Sequence, residues 1–210
     1  MKTIKFLTII FIFFLLNTSK SFSLIEVDIT RGNLNPLPIA VSPLSQTNKS
    51  KKISQNKLNL KDLGLEIAKV VENNLKQSGL FNPLNKDAFL QKPDIAHLKP
   101  RFEDWSLIKA QALITGKVLI ENDKLKVEFR LWDVLAAREM LALAFTTVPN
   151  NWRRVGHIIT DKVYERLTGE KGYFDTRIIY VSEEGPKTQR VKKLAIMDQD
   201  GFNTKYLTLG

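Results

Sequence analysis

The sequence of 210 residues has no cysteine and only two histidines, His97 and His157. Without cysteine, no disulfide can stabilise the fold, so its stability must come from a packed core. Neither histidine belongs to an HExxH or His-x-His motif, and no GxSxG, P-loop or GxGxxG motif occurs. We therefore interpret both histidines as surface or capping residues, and we expect a non-enzymatic protein with no catalytic residue, cofactor or metal site.

Long apolar runs are also scarce, and the strong one lies at residues 6–16. Lys2 and Lys5 precede it, and polar residues followed by Ser21 and Ser23 come after it, which is the layout of a secretory signal peptide. The run is shorter than the ~20 residues that span a bilayer. We expect residues 1–23 to be a signal peptide cleaved after Ser23, with an uncleaved N-terminal anchor as the alternative.

The formal net charge is +10, and part of it comes from a lysine-rich stretch, residues 45–57, that contains no acidic residue. Such a stretch can bind nucleic acid. It has no aromatic residue on which a base could stack. We interpret it as a solvated loop and expect no nucleic-acid partner, while attraction to an anionic membrane or an acidic partner stays open.

The residues that follow the predicted cleavage site alternate between apolar and polar. Ile25, Val27 and Ile29 alternate with acidic or hydroxyl residues, and this pattern predicts a half-buried strand over residues 24–30. A strand at a chain terminus frays unless another strand pairs with it. The partner strand belongs either to the protein's own sheet or to another protein.

Two segments have the apolar spacing of amphipathic helices, residues 61–78 and about 152–167. Gly79 and Gly169 follow them at the position where helices usually end. Asn150 or Asn151 is the expected N-cap of the second helix.

Between and before these helices, strands are predicted at residues 39–41, 110–120, 125–132 and 139–148, with a tight turn at 121–124. Residues 93–100 are expected to be a loop, and residues 102–108 a short helix that buries Phe102 and Trp105. The predicted fold of residues 24–170 is α+β, with a mixed sheet of about five strands and two long helices on one face.

After Gly172 three short strands are predicted, at residues 177–182, 190–198 and 202–209. The Asp-Gln-Asp-Gly turn at 198–201 lacks the later glutamate of a calcium loop, so we interpret it as an Asx-type turn. A meander of this spacing is typical of a β-propeller blade, which has four strands. We expect residues 171–210 to be an incomplete first blade of a truncated chain; a fragment, an interrupted reading frame and a genuine short protein are all compatible with it.

Several stretches together indicate a family: residues 24–41, 78–84, 150–181 and 197–207. The most specific is the helix that ends in Leu167-Thr168-Gly169 and leads into a Thr176-Arg177-Ile178 strand. On these residues the sequence resembles the TolB family, the periplasmic component of the Tol-Pal system of Gram-negative bacteria.

The resemblance implies a periplasmic, non-enzymatic adaptor that supports outer-membrane integrity and constriction at cell division. Family members have an α/β N-terminal domain and a six-bladed propeller. The N-terminal strand binds the inner-membrane protein TolA, and the propeller binds the lipoprotein Pal of the outer membrane. Carried over to this sequence, the partner-binding residues are Leu24, Ile25, Glu26, Val27, Asp28, Ile29, Thr30, Arg31, Gly32 and Asn33. The alternative is a periplasmic domain that binds a small ligand or peptidoglycan in a pocket between sheet and helices.

Overall fold

The computed structural model describes Ile25, Val27, residues 35–46 and residues 60–209. The predicted signal peptide, most of the predicted N-terminal strand and most of the lysine-rich stretch lie outside these residues. Within them the chain forms a six-stranded mixed sheet, two long helices and a separate three-stranded sheet. In this part of the chain, no helix is both long enough and apolar enough to cross a membrane.

The strands of the first sheet are β1 (Leu37–Val41), β2 (Ser45–Gln46), β3 (Phe81–Pro83), β4 (Ala112–Glu121), β5 (Lys124–Asp133) and β6 (Arg138–Thr147). Their order is β3-β1-β4-β5-β6, and β2 also pairs with β4. The pairs β1–β3, β1–β4 and β2–β4 are parallel, whereas β4, β5 and β6 form an antiparallel meander. The predicted mixed sheet is confirmed, but two of its strands, β2 and β3, were not predicted. β2 lies at the start of the stretch interpreted as a solvated loop, and Ser45 in it is buried, so that interpretation is wrong for residues 45–46.

The turn between β4 and β5 follows from its sequence. Asn122 and Asp123 have φ values of 50° and 58°, which is the left-handed conformation that a two-residue hairpin needs at both positions. Asn and Asp tolerate this conformation better than most residues. The turn predicted at residues 121–124 is therefore confirmed.

The helices are α1 (Leu60–Gln77), α2 (Pro93–Ala96), α3 (Phe102–Leu107) and α4 (Trp152–Thr168). The two long helices, α1 and α4, pack on one face of the sheet and form the main core with its inward side chains. The apolar stripes predicted for both helices are buried except at Trp152, the first residue of the α4 stripe, which is half-buried. The buried members are Leu63, Ile67, Val70, Val71 and Leu75 in α1, and Val155, Ile159, Val163 and Leu167 in α4. The prediction of two long helices on one face is confirmed.

The ends of α4 differ in how well the sequence predicts them. Gly169 has φ = 76°, and its N–H donates to the Glu165 carbonyl at 2.9 Å, so the predicted glycine stop is confirmed. Asn151 occupies the N-cap position, but its side chain makes no capping bond and donates to Thr147 instead. A preceding 3-10 turn holds Asn151 at φ −89° and ψ 12°, away from the extended conformation of an N-cap.

The opposite face of the sheet has a smaller second core around Trp105, Leu113 and Trp132. Trp105 of α3 is 1% exposed, as predicted, whereas Phe102 is half-buried at the edge of this core. The loop predicted at residues 93–100 is wrong in part, because residues 93–96 form α2. Pro93 at its first turn has no N–H to leave unpaired and is preorganised for the helix.

The second sheet consists of β7 (Arg177–Glu184), β8 (Val191–Asp198) and β9 (Lys205–Tyr206), in antiparallel order. The first two agree with the prediction. The third is shorter than the predicted 202–209, because a turn with Asn203 at φ = 55° and a Phe202 carbonyl that accepts from Asp198 N–H occupies its start. The assignment of residues 171–210 to a propeller stays a prediction.

Candidate functional site

The N-terminal segment contacts the body of the protein at the C-terminal end of α4. The Val27 N–H donates a hydrogen bond to the carbonyl oxygen of Leu167 at 2.8 Å. Ile25 and Val27 are half-buried and pack against the main core. Both side chains therefore lie on the apolar side of the segment, in line with their period-two spacing.

The acceptor at Leu167 exists because of helix geometry. The last four carbonyls of a helix have no partner within the helix. In α4, which ends at Thr168, the first of these, the Glu165 carbonyl, accepts from the Gly169 N–H at 2.9 Å. The Leu167 carbonyl is completed by Val27, so the N-terminal segment supplies a bond that the helix end lacks.

Of the residues 24–33 that the sequence assigns to partner binding, the structure describes Ile25 and Val27. In the structure both side chains pack against the main core. Leu24, Glu26 and residues 28–33 lie outside the described residues, so their partner-binding role stays a prediction.

A second contact lies at the other end of α4, where the turn between β8 and β9 meets the helix. The Arg153 guanidinium pairs with the Asp200 carboxylate and lies 3.9 Å from Asp198. It also stacks over the Phe202 ring, 3.8 Å from the ring centroid. The Asp200 side chain is only 4% exposed, so the turn that we interpret as an Asx-type turn also packs against α4.

His157 lies one helical turn from Arg153 and is 3% exposed. Our interpretation of it as a surface or capping residue is therefore wrong. Its Nδ1 atom lies 2.9 Å from the Asn74 side-chain amide nitrogen, which also donates to Thr160 Oγ1 at 3.2 Å. Because that amide nitrogen can only donate, Nδ1 accepts, and neutral His157 has its proton on Nε2.

The Nε2 atom of His157 faces the second sheet, 3.8 Å from Asp200 Oδ2, and has no hydrogen-bond partner among the described residues. Burial, the largest effect, lowers the pKa of His157 from its ordinary value, while the Asp200 carboxylate acts in the opposite direction. The imidazole is therefore held neutral near pH 7.

Ligating atoms of His157, Asp198 and Asp200 lie within 4.8 Å of one another, which is close enough to hold a metal ion. The Arg153 guanidinium, however, contacts both carboxylates. Its charge takes the place that a cation would need, so we assign the group as an ion-pair cluster that joins α4 to the second sheet.

The connection from α4 to β7 is also folded back on the helix. The Asp161 carboxylate accepts from the backbone N–H groups of Phe174 and Asp175, at 2.7 and 3.1 Å. Arg154 forms a forked pair with Asp175, with three N···O distances between 3.0 and 3.2 Å. The second sheet is therefore attached to α4 through both the connection that leads into β7 and the β8–β9 turn.

Between the sheet and the long helices, where the alternative function expects a pocket, lie the buried side chains of the main core. A cavity of about 280 Å³ lies on the opposite face of the sheet, against β4, β5 and β6 and below the segment of His97 and Leu98. No residue of the predicted site lines it.

Comparisons with known proteins identify the family of this chain. A model of the TolB amino-terminal domain family matches residues 25–140, from the N-terminal segment to the start of β6. The match covers more than half of the chain. The chain belongs to the TolB family.

Two family members show how far the likeness extends. The Tol-Pal system protein TolB of Pelagibacter ubique (strain HTCC1062) is 78% identical over 201 residues, which are 96% of this chain and 45% of that protein. The crystal structure of TolB from Acinetobacter baumannii has a TM-score of 0.67 at 23% identity and covers 88% of this chain and 41% of that chain. This second likeness shows the fold alone. The chain spans less than half the length of both TolB proteins.

Proposed function

We propose that this chain acts as a periplasmic adaptor of the Tol-Pal envelope complex. In this role the N-terminal segment, residues 24–33, binds inner-membrane TolA, and a propeller that begins with the second sheet binds outer-membrane Pal. The complex supports outer-membrane integrity and constriction at division. Family membership and the 78% identity to a Tol-Pal system protein support the role.

The observation that carries the proposal for TolA is the contact between Val27 and Leu167. In the described part of the segment, it consists of one backbone hydrogen bond and two half-buried side chains. Such a bond contributes about 1 kcal/mol net. A partner's sheet edge offers a row of backbone bonds and pockets for alternate side chains. TolA can therefore compete with α4 for the same segment, as a shift between a docked and a partner-bound population.

The test measures binding of the isolated TolA periplasmic domain by calorimetry, to the chain, to a chain without residues 24–33 and to a Val27→Asp variant. The deletion should abolish binding. Val27→Asp should weaken it about tenfold or more, because a charge would replace an apolar anchor. Val148→Asp, at an exposed valine away from the segment, is the matched control and should leave the affinity unchanged.

Binding of TolA that survives the deletion with the same dissociation constant would overturn the assignment of residues 24–33. A domain that instead binds peptidoglycan in a pocket would keep muropeptide binding after the deletion. Retention of that ligand by a chain that never binds TolA would favour the alternative function.

A further inference from the structure

Strand β6 forms an edge of the six-stranded sheet, because among the described strands it pairs with β5 alone. It is 10 residues long. Natural sheets protect such edges with charges, prolines or bulges, since an unpaired edge attracts other strands. A long, open edge strand is therefore a feature that needs an explanation.

The protection of β6 is confined to its first residues. Arg138 and Glu139 are charged, a bulge shifts the pairing register beside Leu131 and Trp132, and Arg166 Nε donates to the Met140 carbonyl at 3.3 Å. From Leu141 to Thr147 the strand has no charged residue and no proline. Seven consecutive residues are thus free of the usual devices that block strand addition.

The side chains of this open part alternate between two environments. Leu141, Leu143 and Phe145 are half-buried over the main core, and the Phe145 ring stacks on Phe129 with the ring centroids 6.0 Å apart. Ala142, Ala144 and Thr146 are exposed on the opposite face. The strand is therefore anchored through one face and has only small side chains on the other.

On this opposite face the cavity of about 280 Å³ reaches β6. Its lining includes Ala142 and Ala144 of β6, Glu128 and Arg130 of β5, and Lys117 of β4. Because the alanine side chains are short, they leave room between the strand edge and the charged residues of β5. Side chains of a strand added to β6 could enter this space.

Charged residues of β5 lie opposite the small residues of β6 in a defined order. Arg130 of β5 pairs with Ala142, Glu128 with Ala144 and Lys126 with Thr146. Glu128 is engaged by two lysines, since Lys117 and Lys126 each lie 2.9 Å from it. Arg130 in turn lies 3.3 Å from the Glu139 carboxylate and donates to the His97 carbonyl at 2.9 Å. The edge is therefore flanked by a cation at each end, each with one acidic partner within the sheet, and has a carboxylate between them.

We propose that β6 is a strand-acceptor edge that binds an extended segment of a partner protein with acidic side chains four residues apart, opposite Ala142 and Thr146. Neighbouring strands are about 5 Å apart, so the added strand would lie about 10 Å from β5. Acidic side chains at these positions meet Arg130 and Lys126 over the small residues, and an uncharged side chain faces Glu128. Backbone bonds supply affinity and the charge order supplies specificity. This site is separate from the N-terminal segment and does not rest on the proposed function.

The probe is a capped peptide of about nine residues, a usual strand length, that alternates Thr and Val and has Glu at its third and seventh positions. Titrated into the full chain, it should slow hydrogen exchange of the backbone amides of residues 141–147. A peptide with Lys at both positions should bind about tenfold more weakly, because like charges then face each other across the sheet.

Two variants of the same strand test the charge order. Lys126→Glu should weaken the Glu peptide about three- to tenfold and improve the Lys peptide. Lys124→Glu is the matched control, since Lys124 lies on the same strand beyond the end of the β6 pairing, and it should change neither affinity.

The proposal is overturned if the Glu peptide protects other residues, or if Lys126→Glu and Lys124→Glu act alike. It is also overturned if residues 141–147 are already protected without peptide. If that protection from hydrogen exchange without peptide rises with chain concentration, a second copy of the chain covers β6. If it does not depend on concentration, the chain's own residues cover β6.

Discussion

The Nδ1 atom of His157 lies 2.9 Å from the side-chain amide nitrogen of Asn74, and this contact joins the two long helices inside their packed interface. Both residues are buried, and the same amide reaches Thr160. An unpaired buried polar group costs about 1–3 kcal/mol. Sliding α4 along α1 would break these bonds, so the polar group fixes one alignment of the helices.

The stability of the protein should fall as the pH falls below about 6.5, because of His157. Burial lowers the pKa of His157 in the folded state, so the unfolded chain binds a proton first as the pH falls. The folded state therefore has its full stability above the pKa that His157 has in the unfolded chain. Stability is lost as the pH falls from that value toward the lower pKa of the folded state. Unfolding by urea at about pH 7.5 and about pH 5.5 should show the decrease.

A His157→Asn variant should lose part of this pH dependence, although it is less stable overall. His97→Asn changes the other histidine of the chain and should keep the full dependence. Equal pH slopes in the two variants would rule out His157 as the source.

Gly156→Ala should destabilise the crossing of α1 and α4 by about 1–3 kcal/mol, the usual cost of overpacking. An added Cβ would lie 2.8 Å from Val70 Cγ1, so one helix must move away. Thermal unfolding measures the loss. The double variant with Val70→Ala removes the contact with Cγ1 and leaves the one with Val70 Cβ at 2.9 Å. Because part of the clash is relieved, it should be less destabilised than the sum of the two single variants; strict additivity would contradict the close approach.

Arg153→Met should release the second sheet from α4. It leaves the buried Asp200 carboxylate unpaired, and breaking a buried pair costs about 3–5 kcal/mol. Limited proteolysis should then cut within residues 177–206 before it cuts the first sheet. Arg154→Met is the control, because Arg154 is 62% exposed in its pair with Asp175 and should cost about 1 kcal/mol or less. Equal protease sensitivity of both variants would show that the Arg153 cluster does not hold the sheet.

Thr115→Val should destabilise the second core by about 1–3 kcal/mol, although it preserves shape. The buried Trp132 Nε1 donates to Thr115 Oγ1 at 2.8 Å and would lose this partner. Thr146→Val, on the exposed face of β6, is the matched control and should be nearly neutral. Urea unfolding of the two variants compares them directly, and similar midpoints would contradict the assigned role of the hydrogen bond.

Local patterns predict most of the elements of this fold. The apolar stripes of α1 and α4 and the alternation of β5 are properties of neighbouring residues, so periodicity finds them. The sequence does not predict the two-residue β2 or the three-residue β3 as strands, because each has too few residues to form a pattern. The family resemblance rests on the identity of residues in longer stretches, such as 150–181, and apolar periodicity alone does not reveal it.

The contacts of α4 with the second sheet could not be predicted in this way. Arg153, His157 and Thr160 lie on one polar side of an amphipathic helix, and such a side usually faces solvent. Their spacing of four and three residues places them on one side of the helix, and this is the only sign in the sequence that they act together. Only the long-range packing of Asn74 and Asp200 shows that this side is covered.

Helix α4 is attached near its two ends to different parts of the protein: Leu167 to the N-terminal segment and Arg153 to the second sheet. At a rise of 1.5 Å per residue these two attachments are about 20 Å apart. Release of the N-terminal segment would leave the Leu167 carbonyl open at one end of α4, while Arg153 and Asp161 keep the second sheet in place on the same helix. The helix can therefore lose one of its two neighbours without losing the other.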